Sequence, residues 1–343
     1  MRAMVLERLD PEGTARTPLR LSEIPKPEPG PGEVLIRVRV CGVCHTELDE
    51  IAGRTAPARL PVIPGHQVAG VIEALGPGAS GVPGTRVGVS WIGGACATCE
   101  WCSAGLENLC PRFVATGRDR DGGYAEFATV RHDFAIPIPD AISDAAAAPL
   151  LCAGAVGYRS LRLTGICDGE PLGLTGFGAS AHIVLQLARH LYPKSGVFVF
   201  ARNAEERAFA LSLGAEWAGD TGDAPPERLQ AIIDTTPAWR PVLAALRNLR
   251  AGGRLVINAI RKEDRDRAEL VELSYAEQLW MEREIKSVAN VTREDVREML
   301  AAAARFGISP EVQEFHLEEA NDALVAIRDH HIRGAKVLRV ANA

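Results

Sequence analysis

The chain is short of lysine. Only five of its 38 basic residues are lysine, at positions 26, 194, 262, 286 and 336. The formal net charge is -6, so there is no cationic excess to hold a nucleic acid by its phosphates, and no nucleic-acid partner is expected. No run of 18 apolar residues occurs, so neither a membrane-spanning helix nor a membrane partner is expected. The opening residues, MRAMVLERLD, lack the apolar core of an export signal, which makes the cytoplasm the expected compartment. Internal repeats and low-complexity segments are also missing.

What is present fits an enzyme-sized globular protein. The 343 residues suggest two domains, and 47% hydrophobic with 24% charged residues is ordinary for a folded domain. Eight cysteines stand at 41, 44, 96, 99, 102, 110, 152 and 167. In a reducing compartment such clusters serve metal binding or catalysis more often than disulfides.

Two kinds of sequence follow one another. Up to about residue 153 the chain is rich in Gly and Pro and reads as a loop-rich β domain. In EVLIRVRV, Val34, Ile36, Val38 and Val40 share one face, and Arg37 and Arg39 the other. From 154 to 291, strands such as GVFVFA, AIIDTT, RLVINAI and EIKSVA alternate with helical stretches, which predicts βαβ units around a parallel sheet. Asn203 and Glu206 read as a capping pair at one helix start. Residues 292–343 read as chain returning to the first domain.

CATCEWCSAGLENLC carries Cys96, Cys99, Cys102 and Cys110. Four thiolates at this spacing suit a closed tetrahedral zinc, which would be structural; an iron–sulfur cluster uses a similar set. VCGVCHTEL holds Cys41, Cys44 and His45, a pattern open to haem attachment, a redox dithiol or a metal site. Cys44, His66 and Cys152 together make a Cys–His–Cys set of the kind that holds a catalytic zinc, although their spacing alone does not establish one.

GFGASA, with Gly176, Gly178, Ala179 and Ala181, follows a predicted strand and opens a predicted helix, as a dinucleotide fingerprint does. The next strand should end in an acid if NAD is bound by its ribose. Here it ends in Ala201, Arg202 and Asn203. Arg202 suits a ribose 2′-phosphate, so NADP(H) is favoured over NAD(H).

CGVCHTEL, PGHQVAG, CATCEWCSAGLENLC, LLCAGAVGY and LTGFGASAH, taken in order, resemble the zinc-dependent medium-chain alcohol dehydrogenases over nearly the whole chain. The resemblance implies an α/β fold, a Rossmann-type domain at 154–291 and a GroES-like catalytic domain formed by 1–153 and 292–343. It implies two zinc ions per chain: a catalytic one on Cys44, His66 and Cys152, and a structural one on Cys96, Cys99, Cys102 and Cys110, in a lobe at about 91–113. Cys41 and Cys167 receive no role. It further implies hydride transfer between an alcohol carbon and a nicotinamide, with an alcohol or aldehyde as substrate, and a homodimer or homotetramer. A polyol or other secondary-alcohol dehydrogenase, or a non-catalytic zinc- and nucleotide-binding relative, are the alternatives.

Thr46 matches the hydroxyl residue that receives the substrate proton in that family. Three positions depart from its pattern. Asp49 stands where many relatives carry histidine, so the proton is expected to leave through Asp49 or directly to water. Glu47 stands where they carry aspartate, and should reach His66 as its orienting carboxylate. Gln67 stands where they carry glutamate, which predicts a metal site short of one negative charge. Trp91 is read as either a pocket aromatic or packing, and Arg54 as facing water.

Overall fold

The computed structural model describes residues 1–329 and 334–340. It divides into two compact units, Met1–Ala155 with Asn290–Ala343, and Val156–Ala289.

The first unit is built on a seven-stranded sheet. Its path runs Val312–His316, Ala335–Arg339, Glu33–Val43, Gln67–Leu75, Arg86–Val89 and Ile136–Pro137, with Phe127–Arg131 also pairing Glu33–Val43. Only the Val312–His316 and Ala335–Arg339 pair is parallel. In the central strand Glu33–Val43 the alternation holds: Val34, Ile36, Val38 and Val40 are buried while Arg37 is exposed. Each such buried aliphatic side chain contributes roughly 1.5–3 kcal/mol. Leu35, Cys41 and Val43 are buried as well, so the strand is covered on both faces over part of its length.

A short helix, α1 (His45–Ile51), follows that strand directly. Cys44 is extended at φ -145 and caps it, and the Glu47 side chain accepts from the Cys44 backbone N–H at 2.8 Å. This reciprocal cap fixes where the strand turns into helix.

The second unit holds a six-stranded all-parallel sheet. Its strands, numbered within this sheet, are β1 (Leu172–Thr175), β2 (Val197–Phe200), β3 (Trp217–Gly219), β4 (Leu229–Asp234), β5 (Leu249–Ile257) and β6 (Glu284–Ser287). Their spatial order is 3-2-1-4-5-6, the doubly wound Rossmann arrangement. β1 and β2 are buried at every position, as strands covered on both faces must be. The helices Ala181–Leu191, Ala204–Ser212 and Arg240–Asn248 supply the cover. Phe198, Phe200, Ile232, Val242, Leu246 and Leu255 belong to one continuous core.

One strand is added and two local expectations are corrected. The unforeseen strand Trp217–Gly219 has only three residues, too few to carry a period. The stretch between β5 and β6 contains no α-helix, only a 3₁₀ turn at Arg267–Glu272 and a π turn at Tyr275–Leu279. Asn203 does cap its helix, but by accepting from Glu205 N at 2.8 Å, with no reciprocal bond from Glu206. No helix among the described residues is long and apolar enough to cross a membrane.

Candidate active site

Three distant segments of the first unit converge on one point. Cys44 comes from the cap of α1, His66 from the residue before the strand Gln67–Leu75, and Cys152 from a π turn at Leu150–Gly154. His66 Nε2 lies 3.8 Å from Cys44 Sγ and 3.2 Å from Cys152 Sγ. All three ligand atoms fall within 4.8 Å of one another. Zinc bonds of about 2.3 Å to sulfur and 2.0–2.1 Å to nitrogen, set tetrahedrally, separate S from N by about 3.6 Å, so the donor set fits the ion. The π turn matters here, since one extra residue per turn re-aims a side chain relative to an α-helix. Gly65 holds φ at +98, and a Cβ there would meet the Tyr124 ring at 2.3 Å. Glycine is therefore required for the chain to deliver His66.

The second nitrogen of His66 is held too. Nδ1 lies 2.6 Å from Glu47 Oε1, and both side chains are essentially without solvent. A carboxylate there selects the Nδ1–H tautomer and turns the Nε2 lone pair toward the thiols. Burial opposes a charged imidazole, but Glu47 and Cys44 outweigh it and push the His66 value well up. Hydrogen bonding with Cys152, burial and the Glu47 charge push the Cys44 thiol well above its ordinary range. A pocket of this kind resists a second anion until a cation enters, which is the chemistry of a metal-binding set.

Thr46 is half-buried beside Cys44, and its backbone N–H donates to Cys44 Sγ at 3.4 Å. Its hydroxyl has no protein partner among the described residues. Asp49 is 3% exposed and bound to Arg54, whose Nε donates to Oδ1 at 2.7 Å. Arg54 is exposed, as read from the sequence, and is also the partner of Asp49: the chain curls past Gly53 (φ +75) at the helix end and brings the guanidinium back. Gln67 is buried, with its Nε2 unpartnered among the described residues. Trp91 is 8% exposed. Its ring sits 5.2 Å from that of Phe113, and the Arg118 guanidinium lies 5.0 Å over it, so it is packed inside the domain.

Pattern reading missed one acid. Glu50 is 1% exposed, accepts from Trp91 Nε1 at 3.4 Å, and is pushed up to about 8 by burial and then by Glu47. The signal was available: Glu47 and Glu50 are three apart on α1 and share a face.

The four-cysteine lobe is compact. Cys102 Sγ lies 3.8 Å from Cys96 Sγ and 3.5 Å from Cys99 Sγ, and all four sulfurs fall within 4.8 Å of one another. Tetrahedral zinc places sulfurs about 3.8 Å apart, and so tight a set leaves room for one ion rather than a multi-iron cluster. Backbone N–H groups of Cys99 and Arg112 donate to Cys96 and Cys110 sulfurs, each at 3.4 Å. Thr98, through its backbone N–H and its hydroxyl, and then the Cys99 N–H lower Cys96 to about 5, while burial and neighbouring thiols raise Cys102 to about 12. Independently of any ion, Glu107 ties the lobe down by accepting from Arg293 N and Nε at 2.9 and 3.0 Å.

In the second unit Gly176 ends β1 at φ +78, where a Cβ would meet Thr235 Oγ1 at 2.9 Å. Gly178, Ala179 and Ser180 form the turn into the helix that starts at buried Ala181. This turn lies beside the end of β4, where the strand order reverses and dinucleotides bind in such sheets. Ala201 is buried at the end of β2, and Arg202 and Asn203 are exposed. Arg207, unforeseen, donates to the Ala201 and Arg202 carbonyls at 2.7 and 2.9 Å and shapes that edge.

Comparison with known proteins agrees with this geometry. Residues 30–140 match the family model of the alcohol dehydrogenase GroES-like domain. Over 320 residues the chain is 44% identical to the "Probable alcohol dehydrogenase AdhA" of Mycobacterium tuberculosis, covering 92% of this chain and 90% of that one. The chain belongs to the zinc-dependent medium-chain alcohol dehydrogenase family. An alcohol dehydrogenase of Geobacillus stearothermophilus is 32% identical over 354 residues, 99% of this chain and 100% of its own. Among solved structures, a cobalt- and zinc-bound thermostable alcohol dehydrogenase from Pyrobaculum aerophilum matches with TM-score 0.84 at 25% identity, over 99% of each chain.

Proposed function

We propose that this family member is a zinc-dependent, NAD(P)-linked alcohol dehydrogenase or aldehyde reductase. Cys44, His66 and Cys152 hold the reactive zinc; Cys96, Cys99, Cys102 and Cys110 hold a structural one. The observation that carries the reading is the convergence of two thiols and an imidazole from three separate segments, with Glu47 behind the imidazole. The named alcohol dehydrogenases among its relatives support it.

Held by Cys44, His66 and Cys152, a zinc ion would supply Lewis-acid polarisation of the substrate oxygen, and a bound nicotinamide would supply the hydride acceptor or donor. The chain's own residues do the rest. Glu47 fixes the His66 tautomer. Thr46 Oγ1, beside Cys44 and with no partner among the described residues, takes the proton of the substrate hydroxyl and releases its own directly to water. Asp49, engaged by Arg54, anchors the end of α1 instead of relaying that proton. Gly176 and Gly178 let backbone approach the pyrophosphate at the start of the helix Ala181–Leu191. Exposed Arg202, with no acid at the end of β2, favours NADP(H) over NAD(H).

A spectrophotometric screen of alcohols and aldehydes with both cofactors tests this. The expected result is hydride transfer abolished by a chelator and restored by zinc. Turnover that persists in Cys44→Ser, or after both zinc equivalents are removed, refutes it.

A further inference from the structure

Glu50 is an acid that the proposed ligand set leaves unused. It faces inward from α1, three residues after Glu47, and is 1% exposed. One carboxylate oxygen accepts from the Trp91 indole at 3.4 Å, and the other, Oε2, is buried with no partner among the described residues. Two further groups complete its surroundings. The Arg118 guanidinium lies over the Trp91 ring but is bound through two bonds, at 2.9 and 2.8 Å, to Asp119. His66, within electrostatic range, is already held by Glu47. A buried carboxylate with one long hydrogen bond is costly unless a cation stands near it. Gln67, meanwhile, offers no charge where the sequence pattern predicted a deficit.

Resting on the zinc reading above, the geometry points to Glu50 as a positioning residue of the three-ligand centre: from α1 it supplies a second buried negative charge behind the Glu47–His66 pair and tightens the hold on a divalent cation. The deficit expected from Gln67 is thereby made good by a residue 17 positions earlier in the chain. Trp91 belongs to the same device, since its N–H holds the carboxyl in place. Burial, and then the Glu47 charge, push Glu50 up to about 8, a shift that a nearby cation would reverse.

The test is a titration of the holoenzyme with a chromophoric zinc chelator. Glu50→Gln should surrender the zinc of the three-ligand centre at about tenfold lower chelator concentration than the unaltered chain, the lower end of the range for groups behind metal ligands. Glu50→Asp should recover part of that loss. Trp91→Phe, which keeps the carboxyl and removes its donor, should shift release the same way by a smaller factor. Zinc on the four cysteines should be unaffected throughout, which separates the effect from general loosening. If Glu50→Gln does not fold, Glu50→Asp and Trp91→Phe carry the test. Release of zinc by these variants at the unaltered concentration overturns the assignment of Glu50 and leaves the zinc reading standing. An unaltered chain holding fewer than two zinc equivalents overturns both.

Discussion

Glu47→Gln is the sharpest probe of the centre, because the substitution keeps shape and removes one acceptor. The carboxylate faces two buried N–H groups at once: one oxygen stands 2.6 Å from Nδ1 of His66, and the other accepts from the backbone N–H of Cys44 at 2.8 Å. Glutamine has a single carbonyl oxygen, so one of those donors must face an amide NH₂. Leaving a buried donor unsatisfied costs about 1–3 kcal/mol, or roughly 5- to 150-fold in an equilibrium constant. Where the cost shows depends on which bond the amide keeps. If the oxygen stays on Cys44 N, the imidazole loses its orientation and zinc affinity falls by that factor. If it stays on His66, the α1 cap is broken and the metal-free chain loses about 0.5–2 kcal/mol, the usual value of an N-cap. Urea unfolding of metal-free protein, together with chelator competition on the loaded protein, measures the two shares. A Glu47→Gln chain that matches the unaltered one in both would refute the claim that this carboxylate joins cap and ligand.

Four further outcomes follow from the geometry. Cys110→Ser should cost the lobe its metal and expose residues 96–110 to protease while the sheet of the first unit stays folded, since Glu107–Arg293 remains; cooperative unfolding of the whole unit would contradict this. Arg202→Ala should lower kcat/KM for NADP about 10- to 150-fold, the value of a charge-assisted bond, and leave NAD unchanged; an equal loss for both cofactors would remove Arg202 from the 2′-phosphate site. Asp49→Ala should leave the pH–rate profile in place, because Asp49 is committed to Arg54; a displaced profile would restore it as a relay. In metal-free protein, Glu50 holds its proton to about pH 8 when folded, against an ordinary value of 4.5. Its contribution to stability is complete below about pH 4.5 and is lost as pH rises through 8. Thermal melts of metal-free Glu50→Gln should lose that slope.

The two zinc candidates differ in how far the sequence revealed them. The four-cysteine set lies within 15 residues, so spacing alone suggested it; the 4.8 Å clustering then narrows zinc against a larger cluster. Cys44 and His66 are 22 apart, and His66 and Cys152 are 86 apart. No local period encodes such a meeting, and only resemblance gave it. The parallel sheet was legible because its strands are continuous apolar runs. What escaped depended on where a chain turns: the curl after α1 that brings Arg54 to Asp49, the π turn beneath Cys152, and the short edge strand Trp217–Gly219.

The inward face of α1 explains why these local features must act together. A seven-residue helix is too short to persist by its own hydrogen bonds. It stands because its cap residue is a proposed metal ligand, and because its third residue is both capping partner and the acid behind His66. Around this element the first unit buries Glu47, Glu50 and two thiols against a single imidazole. The Cys152 hydrogen bond and burial keep the Cys44 thiol protonated in the metal-free chain, burial does the same for the Glu50 carboxyl, and a bound divalent cation would let them ionise there. On the zinc reading, the free energy of metal binding is therefore partly free energy of folding for α1. Loss of the metal should be felt first at Cys44 and Thr46, where the proposed mechanism handles substrate oxygen and proton. In this reading the helix, the ligand set and the proton acceptor form one cooperative unit, and substitutions at Glu47 and Glu50 will not be additive with substitutions at Cys44.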